Sequence, residues 1–246
     1  MAGHSKWANI KHKKGKQDAK RAKIFTKIGK EIMVSVKLGG IDPEGNSKLA
    51  LQNARANNMP NDNIKRLIQR ASGEDNSTQY EELVYEGYGI GGAAVIVDVM
   101  TDNRNRTAGE IRHIFDKCGG NLGETGSVAW LFERKGQLTI TLENQDEDFL
   151  TLEAIEAGAE DVVVEGDELI IFTAMEDFDK VRKIFEDKNI AIGQAMLTKI
   201  SENTIEITDI EQAKQLIKMM DLLEDNDDVQ DTYSNFDFSE EIMWQL

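Results

Sequence analysis

The chain has 246 residues, 40% of them hydrophobic and 30% charged, with a formal net charge of -16 at pH 7. That length favours two or three domains with ample core material. The longest uncharged apolar run, IGGAAVIV, is far too short to cross a bilayer, and a basic leader without an apolar h-region is not a secretory signal. The single cysteine, Cys118, excludes an internal disulfide and fits a reducing compartment, read here as the cytoplasm.

The charge is divided. Residues 1–70 hold 16 Lys/Arg against 5 Asp/Glu, a net of +11, whereas residues 71–246 hold 13 against 40, a net of -27. Such asymmetry suits either a basic element that meets an anionic partner or one that folds back on its own acidic body. Residues 1–17 offer few apolar groups beyond Ala2, Trp7, Ala8 and Ile10, too few to build a core.

From about Asp18 a helical period aligns Phe25, Ile28, Ile32 and Val36, ending at Gly39, Gly40 and Pro43. SKLALQNARANN and DNIKRLIQRAS predict two more helices, the latter capped by Asn61, which makes a three-helix bundle over 1–78. EELVYEGY and AAVIVDVM predict strands about a glycine turn, RNRTAGEIRHIFDKC a helix and SVAWLFE a strand. From GQLTITL to IAIGQAMLTKI the order is βαββαβ, the ferredoxin-like plan. The tail adds strand TIEIT, helix DIEQAKQLIKMMDLL and strand DVQDTYSN, too few elements for a domain of their own. The fold class is therefore α+β, a three-helix bundle followed by two α/β domains. The middle one is discontinuous, over 79–134 with 204–246, and the ferredoxin-like one is inserted at 135–203.

Several residues invite chemistry. Lys16, Lys20, Lys23, Lys27 and Lys30 fall within roughly 80° of one another at 100° per residue, opposite the apolar face. Their like-charge spacings cost on the order of 1–2 kcal/mol, which favours phosphate contacts over a plain solvated face. Trp7, among Lys6, Lys11, Lys13 and Lys14, either stacks on an unpaired base or anchors the leader to the protein. Arg104 and Arg106 fall in the first turn of a helix that Asp102 or Asn103 can cap, against the dipole. They would either form an anion site or pair with acids such as Glu110. EGYGIGG satisfies G-x-G-x-x-G through Gly87, Gly89 and Gly92, but a strand follows it, so it predicts a turn and not a dinucleotide loop. His113 and Cys118 lack metal-ligand spacing, no nucleophile elbow occurs, and EDNDDVQD lacks the pattern of a calcium loop. No catalytic residue, metal or cofactor is expected.

MAGHSKWANIKHKKGKQDAKRAKIFTKI, YEGYGIGGAA, TDNRNRT with the GGNLG and GSV that follow it, and the terminal DVQ..Y.N resemble the YebC/PmpR family over essentially the whole chain. Ile90 stands where that family usually has proline. The eukaryotic relative is a mitochondrial translational activator of cytochrome oxidase. The resemblance implies a three-domain, non-enzymatic, cytoplasmic protein that binds DNA and regulates transcription. The competing view of the family is a translation factor on the ribosome, contacting ribosomal or transfer RNA and relieving stalling. On either view the functional residues would be the basic ones, here Lys6, Lys11, Lys13, Lys14, Lys16, Lys20, Arg21, Lys23, Lys27 and Lys30 with Trp7, supplemented by Arg104 and Arg106. The partner is nucleic acid, no membrane is involved, and a monomer is expected.

Overall fold

The computed structural model describes residues 17–39, 47–72, 80–143, 145–243 and 245. Its contacts divide into two units, one of residues 1–132 with 201–246 and one of residues 133–200.

The first unit opens with helices α1 (Gln17–Gly39), α2 (Ser47–Ala56) and α3 (Asn61–Ser72). Ile28, Ile32 and Val36 of α1 bury against Ala50, Ala54, Met59, Ile64 and Ala71, with Phe25 packed at the edge. Asn61 is the first helical residue of α3 and not its cap. The Pro60 carbonyl already accepts the Ile64 N–H at 3.2 Å, so the cap position falls on Pro60.

Strands β1 (Glu81–Tyr88) and β2 (Ala94–Thr101) form an antiparallel hairpin. Helix α4 (Arg104–Lys117) and the short strand β3 (Asn121–Leu122) follow. After the second unit the chain supplies β8 (Ile205–Ile207), α7 (Ile210–Asp225), β9 (Val229–Ser234), β10 (Phe236–Phe238) and α8 (Glu240–Met243). Strand β9 pairs antiparallel with β2, which gives the sheet order β3-β1-β2-β9. Strands β8 and β10 form a parallel pair of their own. The apolar run of β2, broken only at Asp98, follows from burial on both faces. Val95, Val97 and Val99 meet Ile111, Phe115, Leu216 and Met219 of α4 and α7, while Ala94 and Ile96 meet Val128, Leu131 and Phe132.

The second unit contains β4 (Phe132–Thr141), α5 (Glu147–Ala157), β5 (Asp161–Glu165), β6 (Glu168–Ala174), α6 (Phe178–Asp187) and β7 (Gln194–Ser201). Their sheet order is β5-β6-β4-β7, the arrangement of a ferredoxin-like sheet. Leu138, Ile140, Leu150, Ile171, Val181 and Phe185 are fully buried.

SVAWLFE is not a strand. Ala129–Leu131 is a 3-10 turn, and only Phe132 begins β4, which runs on through the glycine into the segment expected as a separate strand. The cause is Glu86, whose buried carboxylate accepts N–H bonds from Gly126 at 2.7 Å and from Val128 and Ala129 at 2.8 Å. A side chain has taken the donors that a strand ladder would use.

Candidate nucleic-acid interface

Helix α1 is buried along two sides. The apolar side faces the bundle, and Lys23, Lys27 and Lys30 face the end of α7, the turn after it and the start of β9. Lys23 Nζ lies 2.7 Å from Asp225 Oδ1, with the side chains 40% and 71% exposed. Lys27 Nζ donates to the Gln230 carbonyl at 3.3 Å. Its pKa is lowered, chiefly by burial and partly by Lys23 and Lys30, against the opposing pull of Asp231 and Asp225. Lys30 is 7% exposed and donates to Asp228 Oδ1 at 2.9 Å, the Asp227 carbonyl at 2.8 Å and the Met100 carbonyl at 3.3 Å. It also lies 5.5 Å from the centre of the Tyr80 ring. Lys30, expected at a phosphate, is thus enclosed by the protein's own carboxylate and carbonyls.

Asp228 joins the bundle to the TDNRNRT segment. Its Oδ2 accepts from Arg106 at 2.6 Å, from Thr107 at 2.7 Å and from Thr101 at 3.2 Å. Burial pushes its pKa up, but the hydrogen bonds from Arg106, Lys30 and Thr107 outweigh that and hold it well below the usual carboxylate range. Asn103 caps α4, its Oδ1 accepting the Arg106 N–H at 3.1 Å. Arg106 also reaches Asp102 at 3.0 Å. The anion at this helix start is Asp228, so Arg106 is a structural ion-pair partner. Arg104 is exposed, and its carbonyl accepts the Tyr85 hydroxyl at 3.5 Å.

Lys6, Trp7, Lys11, Lys13, Lys14 and Lys16 lie outside the described residues, as do the side chains of Lys20 and Arg21. The bundle adds cations that the charge-row argument passed over. Arg55 on α2 and Lys65, Arg66 and Arg70 on α3 are exposed and have no ion-pair partner among the described residues. NIKRLIQR carries the signal, since Ile64, Leu67 and Ile68 turn inward at helical spacing and leave the cations outside.

The glycine turn is packed against α7 at Gly89, where a side chain would stand 2.7 Å from Leu216 and 2.8 Å from Met219, and open at Gly92; Gly91 has a φ of 74°. Cys118 is buried in the core. Among the described residues no group of three His, Cys, Asp or Glu could hold a metal ion, and no helix is long and apolar enough to cross a membrane.

This is an α+β protein in which a basic N-terminal segment precedes a strongly acidic remainder of the sequence. The TACO1/YebC N-terminal domain model matches residues 5–74, and the model of the second and third TACO1/YebC domains matches residues 80–236. The chain belongs to the TACO1/YebC family. It is 56% identical over 246 residues to a "Probable transcriptional regulatory protein" of Desulfitobacterium hafniense, covering 98% of each chain. It is 54% identical over 250 residues to one of the same name from Halothermothrix orenii, covering 100% of this chain and 99% of the other. A conserved hypothetical protein from Aquifex aeolicus superposes with a TM-score of 0.89 at 45% identity, over 97% of this chain and 99% of that one.

Proposed function

We propose that the protein is a non-enzymatic, nucleic-acid-binding regulator of gene expression, acting on DNA as a transcriptional regulator. The observation that carries this reading is the exposed cationic surface of the bundle. Arg55, Lys65, Arg66 and Arg70 lack ion-pair partners among the described residues, in a segment whose net charge is +11. Phosphate neutralisation by such a surface supplies sequence-independent affinity. The names of the relatives supply the transcriptional part of the reading. On this reading Lys6, Lys11, Lys13, Lys14, Lys16, Lys20, Arg21, Lys23, Lys27 and Arg104 supply further phosphate contacts, and Trp7 would stack on an unpaired base. Lys30 and Arg106 are left out because they serve Asp228.

A second reading, a ribosome-associated factor that binds RNA, is favoured by one observation. The acidic body, at -27 over residues 71–246, opposes a broad embrace of duplex DNA, whereas a basic N-terminal segment with one aromatic suits a narrow RNA-lined site.

Titration against salt tests both. With about eight phosphate contacts, log K falls against log salt with a slope near -7 for duplex DNA or about -5 to -6 for single strands. Replacing Lys65, Arg66 and Arg70 by Ala should flatten that slope by about 3. Trp7→Ala should cost roughly 1–3 kcal/mol only where bases are unpaired. A slope that no basic substitution changes would remove the nucleic-acid reading.

A further inference from the structure

Three acids at every third position, Asp225 at the end of α7, Asp228 in the turn and Asp231 in β9, lie by the lysines of α1. Asp225 pairs with Lys23, Asp228 pairs with Lys30, and Asp231 acts on Lys27. The contacts form a gradient. The outer pair is exposed on both sides, Lys27 is half-buried on a carbonyl, and the inner pair is 8% exposed on each partner. Carboxylates and carbonyls thus stand along a lysine row where a phosphodiester strand would place its oxygens.

We propose that residues 225–231 are a built-in competitor for nucleic acid: an acidic segment that occupies the phosphate positions at Lys23 and Lys27, so that a bound strand displaces its outer part while Lys30–Asp228 stays closed. This rests on the nucleic-acid reading above and adds a control to it. Exposed ion pairs contribute little and exchange readily with solvent and salt. A polyanion that replaces them gains the release of its own counterions. The buried pair is different, because opening it would strand a charge in the interior. Isolated anions gain too little to displace the segment, whereas a run of phosphates does. The device therefore suppresses weak, non-specific binding through a repulsive element inside the chain.

The test compares two double variants of the full chain by fluorescence anisotropy, with a labelled mixed-sequence RNA strand and a DNA duplex of the same sequence. Asp225→Asn with Asp231→Asn removes the Lys23 ion pair and the charge that acts on Lys27. Glu202→Gln with Glu206→Gln removes the same charge from exposed residues that make no contact with α1 among the described residues. The first variant should bind about two- to fivefold more tightly than wild type, the range set by the one surface ion pair that it opens, and the control distinctly less so. Hydrogen exchange at amides 225 and 226 of the wild type should speed up when oligonucleotide binds, while the amides of β9 keep their protection. Equal gains in the two variants, or amides 225 and 226 that become more protected in the complex, would overturn the competitor and leave the nucleic-acid reading standing. Failure of wild type and both variants to bind either probe at low salt would remove that reading and this inference together.

Discussion

At the scale of single residues, two carboxyls with opposite environments set the pH response of the first unit. Asp228 is held ionised by Arg106, Lys30 and Thr107. Its contribution is present above the ordinary value of 3.8 and is lost as pH falls below it. Asp228→Asn should cost about 3–5 kcal/mol in denaturant unfolding, because Lys30 would remain buried without its counter-charge. It should also reduce the acid sensitivity of the melting temperature. Glu31 is the reverse case. Burial first, then Asp231 and Glu82, raise its pKa from 4.5 to about 7, against a hydrogen bond from Asn53. The folded state therefore holds a proton that the unfolded chain has released, and stability falls as pH rises from about 4.5 to 7. Glu31→Gln should remove that decline and raise stability at pH 8 by up to about 3 kcal/mol. A melting temperature whose pH profile is unchanged in the variant would show that Glu31 is ordinary. Neither residue stands out in the sequence. An acid among lysines reads as relief of repulsion, and Asp228 reads as one of many acids on a solvated loop.

Among the elements, helices and central strands were the legible part, since their apolar spacing is a local property. The α1 face from Phe25 to Val36 and the run of β2, apolar but for Asp98 up to Met100, both state their burial in sequence. The loop before β4 did not, because a residue some 40 positions away satisfies its backbone. Glu86→Ala should leave the Gly126, Val128 and Ala129 N–H groups without their acceptor. With about 1–3 kcal/mol per buried unsatisfied group, a loss of at least about 3 kcal/mol is expected, together with faster hydrogen exchange at 126–129. Unchanged exchange there would mean that other acceptors replace the carboxylate. The cations of α3 were legible in composition, but their lack of partners became visible only when the helix was seen beside its neighbours.

For the molecule as a whole, the tail closes the first unit. Removing residues 204–246 strips β9 from β2 and takes α7 with Leu216, Met219 and Met220 out of the main core. An edge that apolar would not hold its packing. The truncated chain should lose near-UV CD and cooperative unfolding in the first unit, while residues 133–200, made alone, should keep a folded spectrum. A truncated protein that unfolds as cooperatively as the full chain would show that β1, β2 and α4 suffice.

Periodicity, turn residues and the division of charge were fixed by the sequence alone, because they depend on near neighbours and on simple counts. The family was legible too, in motifs spread along the chain. What only the tertiary structure decided is the use of the positive charge. A lysine row looks the same in sequence whether it faces solvent, phosphate or the chain's own acids. The choice depends on a segment some 200 residues away, whose carboxylates reach Lys23 and Lys30 only once β9 has joined β2. Desolvation then separates the row, burying Lys30 as a structural cation and leaving Lys23 at the surface, where a competing anion can reach it.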